Sequence, residues 1–182
     1  VRDILDGLMS RGVAARCDLI LTGYLGSAPM GEAALETVAQ FRATRDDVRY
    51  CCDPVIGDRE GGAYVADGLS EFFRDTAVPA ADILTPNLFE LEYLAEYPRG
   101  ALEGATLEDV IFAARLLLVR MRPGGCVLVT GATISVGLPN HIAMLAIEME
   151  TAWSVETPCY CFTTPPHGAG DLVVAEDPAT PR

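Results

Sequence analysis

Short apolar runs alternate along this chain with longer segments whose apolar residues recur every three to four positions. Four runs read as strands: Asp18-Leu19-Ile20-Leu21-Thr22, Val48-Arg49-Tyr50-Cys51-Cys52, Asp82-Ile83-Leu84-Thr85 and Cys126-Val127-Leu128-Val129-Thr130. Each ends at a glycine or beside a proline, residues that stop a strand. The first is read as a buried strand. Between the runs, Gly31 to Arg45 carries Ala34, Leu35, Val38 and Phe41 at helical spacing, and Leu69-Ser70-Glu71-Phe72-Phe73 belongs to another helix. Asn87 to Glu96 reads as a helix in which Asn87 is the N-cap and Glu90 the third helical residue, a capping box. Thr106 to Met121 is the clearest helix: Thr106 caps it, Glu108 and Asp109 suit its first turn, and Arg115, Arg120 and Arg122 suit its end. His141 to Glu150 and Ala152 to Glu156 are expected to pair as an edge hairpin, with a helix over Ala143 to Met149 as the alternative. Last come Gly168-Ala169-Gly170-Asp171 and the apolar start of a further helix.

Strand and helix in this rhythm predict an α/β fold, a parallel sheet with helices on both faces. No internal repeat, linker or low-complexity block interrupts it. Ligands of such sheets collect beyond the carboxyl ends of the strands. That rule places Gly23-Tyr24, Asp53, Thr85 to Asn87, Thr130-Gly131 and the Gly168 turn on one edge.

Composition narrows the chemistry. A chain of 182 residues is read as one domain with a sizeable core. A net charge of −13 without a single lysine argues against a general nucleic-acid surface. An anionic substrate then needs local arginine, backbone N–H groups or a metal ion. No apolar run approaches the roughly 20 residues of a membrane span, and the first residues do not resemble a signal peptide. The six cysteines form no C-x-x-C pair, and His141 and His167 stand apart from any ligand cluster, so a zinc site is not expected. Cysteines that are buried and reduced point to the cytoplasm.

Each candidate at the sheet edge has two readings. Asp53 before Pro54 either terminates a strand or joins Glu90, itself a capping-box residue, in holding a hydrated magnesium ion. Thr130 is turn chemistry or a hydroxyl donor to phosphate, while Tyr24 and Tyr64 are surface aromatics or a wall for a flat ring. The Gly168–Asp171 stretch combines glycines that let a ligand approach, N–H groups at a helix start and a carboxylate able to take a proton. Such an anion cradle beside a base suits phosphoryl transfer to an alcohol.

Asp53-Pro54-Val55-Ile56-Gly57-Asp58, Leu84-Thr85-Pro86-Asn87-Leu88-Phe89-Glu90-Leu91-Glu92 and Gly168-Ala169-Gly170-Asp171-Leu172, in this order, resemble the pyridoxal kinases of the ribokinase superfamily. Thr22-Gly23-Tyr24-Leu25-Gly26-Ser27 and Val78-Pro79-Ala80-Ala81-Asp82-Ile83 fit the same family. The resemblance covers residues 1–175, leaving 176–182 as an atypical tail. It implies a ribokinase-like three-layer sandwich with a mostly parallel sheet, and transfer of the ATP terminal phosphate to the 5′-hydroxymethyl group of pyridoxal or another B6 vitamer. By resemblance, Asp171 is the base, and Gly168, Ala169 and Gly170 line the anion hole. Asp53, Asp58, Thr85, Glu90, Thr130, Thr164, Pro165, Pro166 and His167 lie near ATP. Asp53 and Glu90 hold Mg2+ through water, a monovalent cation also being compatible, and Tyr24, Tyr64 and Asp171 face the pyridoxal. The family's members commonly form homodimers.

Two alternatives stand beside this reading: a ribokinase-like fragment that only binds nucleotide or a partner, and a hydroxymethylpyrimidine kinase. The latter typically carries cysteine at the position of Asp171. Measured against the family, the chain is expected to be incomplete at both ends, without the first strand and the small lid-like strands, and therefore marginally stable and poorly active.

Overall fold

The computed structural model describes residues 2–132 and 141–158. Its first elements are α1 (Arg2–Ser10), a 3-10 turn (Val13–Arg16), β1 (Leu19–Thr22), α2 (Ala28–Thr44) and β2 (Arg49–Cys52). A small hairpin follows, β3 (Gly57–Asp58) with β4 (Gly62–Ala63), and then α3 (Leu69–Phe72), a π turn (Phe73–Ala77) and α4 (Val78–Ala80). The remainder is β5 (Ile83–Leu84), α5 (Leu88–Leu94), α6 (Leu107–Leu118), β6 (Cys126–Ala132), β7 (His141–Ile147) and β8 (Ala152–Pro158).

The four apolar runs become parallel neighbours in the order β1-β2-β5-β6, and β7 and β8 extend the sheet antiparallel. The strand order advances steadily in one direction. Right-handed crossovers then put each connecting helix on the same face. The core agrees: Tyr50, Cys52, Leu84, Val127, Val129, Leu145 and Ile147, which share one face by register and alternation, pack with Phe73, Leu91 and Leu117 from the helices. The sequence pattern predicts helices on both faces; among the described residues they cover this one. On the opposite face Leu21, Trp153 and Val155 are exposed. β1 also departs from the buried strand expected of its apolar run: among the described residues it is the outermost strand of the sheet, and Leu19 and Leu21 are exposed.

Residues 141–158 form the hairpin rather than the helix, with seven cross-strand partners from His141↔Pro158 to Ile147↔Ala152. The predicted capping box at Asn87–Glu90 is present, and the predicted Thr106 N-cap turns out to be a second box with Asp109. α2 crosses α3 at Gly31, where a Cβ would lie 2.3 Å from the Phe72 ring. Pro79 cannot supply an N–H, and the Val78 N–H goes to the Phe73 carbonyl, so the Arg74 carbonyl needs another donor. Arg120 supplies it at 2.7 Å and with its other terminal nitrogen caps the Leu94 carbonyl of α5 at 2.8 Å. That guanidinium fixes α5, whose first turn carries the candidate site.

Candidate active site

Parallel register brings the carboxyl ends of four strands level. Thr22 pairs with Cys52, Cys52 with Leu84, and Leu84 with Val127. Hydrogen bonds continue past the strands: the Asp53 N–H donates to Thr22 O at 2.8 Å, Thr85 N–H to Cys52 O at 3.1 Å and Thr130 N–H to Pro86 O at 3.0 Å. The edge expected from the sequence is therefore a continuous backbone platform through Asp53, Thr85 and Thr130.

On this platform the Thr85 hydroxyl donates to Asp53 Oδ1 at 3.0 Å. Beside them Glu90 is buried, with 4% of its surface exposed. Its Oε2 accepts the Asn87 N–H at 2.9 Å, closing the capping box, and its Oε1 accepts the Ile56 N–H at 2.9 Å and the Gly57 N–H at 3.4 Å. Burial pushes the Glu90 carboxyl up to about 7; the three amide donors oppose this and the charge of Asp53 adds to it. Capping box and site residue are thus compatible for one side chain. Its ionisation is linked to its acidic neighbour.

Asn87, which the sequence marks as an N-cap at the strand-end edge, does more than start a helix. While its Oδ1 accepts the Glu90 N–H at 2.9 Å, its Nδ2 donates to the Gly57 carbonyl at 2.9 Å, so the same side chain starts α5 and pins the β3–β4 hairpin. The predicted capping box was a signal for half of this; the long-range half joins residues 30 apart in sequence and has no local pattern. Asp58 accepts the Gly61 N–H at 2.5 Å and so closes the tip of the hairpin. Tyr64 follows it, with its N–H on Ile56 O at 3.1 Å and its ring 53% exposed. Its hydroxyl is pushed up by burial first and then by the charges of Glu90, Asp58 and Asp53, which places these groups in one electrostatic neighbourhood. Tyr24 follows β1 and is 65% exposed.

The structure brings together Asp53, Asp58, Tyr64, Thr85 and Glu90, and Thr130 bridges to Asn87 in the parallel sense. The catalytic candidate Asp171, the anion-hole candidates Gly168, Ala169 and Gly170, and Thr164, Pro165, Pro166 and His167 lie outside the described residues. Among the described residues no group of three His, Cys, Asp or Glu side chains is placed to hold a metal ion. The donor set fits a hydrated divalent cation touched by one or two carboxylates, not a chelating cage.

A family profile described as phosphomethylpyrimidine kinase matches residues 10–175. The chain belongs to the phosphomethylpyrimidine kinase family. Within that family it is 40% identical over 175 residues to the pyridoxal kinase PdxY of Granulibacter bethesdensis, covering 94% of this chain and 58% of the relative. It is 39% identical over 175 residues to that of Rubrobacter xylanophilus, covering 96% and 58%. The chain thus spans a little under three fifths of the length of these curated relatives. A solved pyridoxal kinase from Leishmania donovani, in complex with ADP and pyridoxine, superimposes with a TM-score of 0.72 at 25% identity, covering 88% of this chain and 56% of that one. The pyridoxal kinase from Entamoeba histolytica shares the fold, with a TM-score of 0.69 at 22% identity over 87% and 53%. The fold shared with these solved structures agrees with the α/β architecture that the motif resemblance implies.

Gly57 is the position where this site tolerates least. A Cβ there would sit 2.1 Å from the Gly62 carbonyl oxygen and 2.8 Å from Ala63 Cα, both backbone atoms of the facing strand. Gly57→Ala is expected to cost about 1–3 kcal/mol in urea unfolding. It is also expected to release the contacts of Gly57 with Glu90 and Asn87, measurable as faster amide exchange at Gly57 and Tyr64.

Proposed function

We propose that this protein transfers the terminal phosphate of ATP to the 5′-hydroxymethyl oxygen of pyridoxal or a related B6 alcohol. The observation that carries the reading is buried Glu90, paired with half-buried Asn87 beside Asp53 and Thr85 at adjacent strand ends, in a chain 35–40% identical to several pyridoxal kinases. The ADP and pyridoxine bound in the Leishmania donovani relative support the same ligand classes here.

In this account the ATP phosphates lie over Asp53, Asp58, Thr85, Glu90 and Thr130, with Thr164, Pro165, Pro166 and His167 nearby, while Tyr24 and Tyr64 border the pyridine ring. Phosphoryl transfer needs positioning and charge neutralisation more than covalent chemistry from the protein. Asp171 takes the hydroxyl proton as the substrate oxygen bonds to phosphorus and the bond from that phosphorus to the bridging oxygen of ADP breaks. The N–H groups of Gly168 to Gly170 stabilise charge on the moving group. Asp53 and Glu90 would hold Mg2+ through water, and its charge would offset that of the phosphates in an otherwise acidic neighbourhood. Residues 1–175 are read as part of the kinase core, not the whole of it. A cytoplasmic place in B6 salvage and a homodimer belong to the same proposal. Among the described residues no helix is long and apolar enough to cross a membrane.

The family profile's description makes a pyrimidine alcohol the competing substrate. The test offers the protein Mg-ATP with pyridoxal or hydroxymethylpyrimidine and follows ADP. Pyridoxal is expected to raise ADP release above the ATP-only background, and more than the pyrimidine does. Preference for the pyrimidine, or no response to either alcohol, contradicts the proposal.

A further inference from the structure

The β3–β4 hairpin is too small to stand alone, having only the pairs Gly57↔Ala63 and Asp58↔Gly62. Asn87 and Glu90 hold its inner end, as described above. Its outer end is held by a residue that no motif singled out. Arg59, next to Asp58, donates from Nη2 to Glu92 Oε1, in the second half of α5, at 3.2 Å. Its Nη1 donates to Glu103 Oε2 at 2.9 Å.

The two arms are unequal. Glu103 is 68% exposed, and a solvent-screened pair of that kind contributes little. The Glu92 side chain is only 3% exposed, and a carboxylate at that depth needs partners on both oxygens. It has them: Oε1 also accepts the Leu102 N–H at 2.8 Å, and Oε2 accepts the Gly100 N–H at 2.8 Å. One buried carboxylate therefore fastens α5 to the loop after it and, through Arg59, to the hairpin. Glu90 and Glu92 sit two residues apart on the same short helix, one gripping the hairpin at Ile56–Gly57 and the other at Arg59.

We propose that Arg59 is a positioning residue: its ion pair with buried Glu92 holds the β3–β4 hairpin, and with it Asp58 and Tyr64, in the place the nucleotide-binding edge requires. The proposal deepens the functional reading above and rests on it for the nucleotide. The role assigned to Arg59 is through its carboxylate partners Glu92 and Glu103, not through the substrate. Its influence passes through the hairpin backbone.

The test combines amide hydrogen exchange with Mg-ADP affinity in the protein and three variants. Arg59→Met is expected to speed exchange at Gly57, Gly61 and Tyr64 by at least about tenfold and to weaken Mg-ADP by about tenfold, with exchange in β6 and β7 unchanged. Arg59→Lys, which keeps a cation against Glu92, recovers most of both effects. Glu103→Gln moves neither by more than about twofold. Unchanged exchange in the hairpin overturns the proposal. So does faster exchange with unaltered Mg-ADP affinity, or a uniform rise in exchange throughout the sheet, which marks general destabilisation. If the unmutated protein binds no Mg-ADP, the functional reading fails, and the positioning role claimed for Arg59 fails with it. Faster hairpin exchange in Arg59→Met then leaves only a structural tie between Arg59 and Glu92.

Discussion

Replacing Asp171 with asparagine is expected to lower pyridoxal-dependent ADP formation by about three orders of magnitude and to leave Mg-ADP affinity within about twofold. Asparagine has nearly the same shape and leaves the backbone of the Gly168–Gly170 stretch unchanged, so in the proposed mechanism an anion would still be held. What it loses is the ability to accept the substrate's hydroxyl proton. A base of this kind acts in the transition state and adds little to ground-state binding, so the loss should fall on kcat with KM nearly constant. A comparison of initial rates and nucleotide titrations for the two proteins decides it. Turnover retained in the variant removes Asp171 from the chemistry. Turnover and binding lost together assign it to nucleotide binding or folding instead.

The second large effect concerns Glu90. Its carboxyl is pushed from an ordinary 4.5 to about 7, chiefly by burial. Between these values the folded protein keeps a proton that the unfolded chain has released. The contribution of this group to stability is therefore complete below about pH 4.5 and is lost as pH rises through about 7, a change of the order of 3 kcal/mol. Glu90→Gln cannot titrate. Over pH 4.5–8 the urea midpoint of the unmutated protein should fall relative to that of Glu90→Gln, even if the variant starts lower because its amide group cannot accept all three N–H bonds. Binding has the opposite sign. A hydrated cation and its nucleotide need the ionised carboxylate, so Mg-ADP affinity should rise with pH through about 7 and lose that component in Glu90→Gln. Parallel pH profiles for the two proteins contradict the role given to Glu90 in both respects.

These expectations draw on features of unequal visibility in the sequence. The strands were legible because short apolar runs end at Gly23, Pro54, Pro86 and Gly131, and the Asn87–Glu90 capping box because its residues are three apart, whereas Asp109 was read only as a first-turn acid. The gathering of Asp53, Thr85 and Thr130 followed from a rule about parallel sheets. Leu19 and Leu21 were misread as buried because an apolar run does not reveal whether its strand is central or at an edge. Which face the helices of the described residues cover depends on strand order, which periodicity does not encode. Least legible were the polar ties across the fold. Asn87 to Gly57 and Arg59 to Glu92 each span about 30 residues, and nothing local distinguishes Glu92 from an ordinary surface glutamate of a short helix. Buried carboxylates of this kind become recognisable only once the backbone N–H groups around them are placed.

The central claim is that nucleotide phosphates bind over the aligned strand ends at Asp53, Thr85, Asn87 and Glu90. Its most direct test is a titration of the isotope-labelled protein with Mg-ATP, followed by the backbone amide resonances. The account predicts the largest shifts at Ile56, Gly57, Thr85, Asn87 and Thr130, whose N–H groups line or buttress that edge. Shifts confined to the β7–β8 hairpin or to α1, or none at saturating nucleotide, would contradict it.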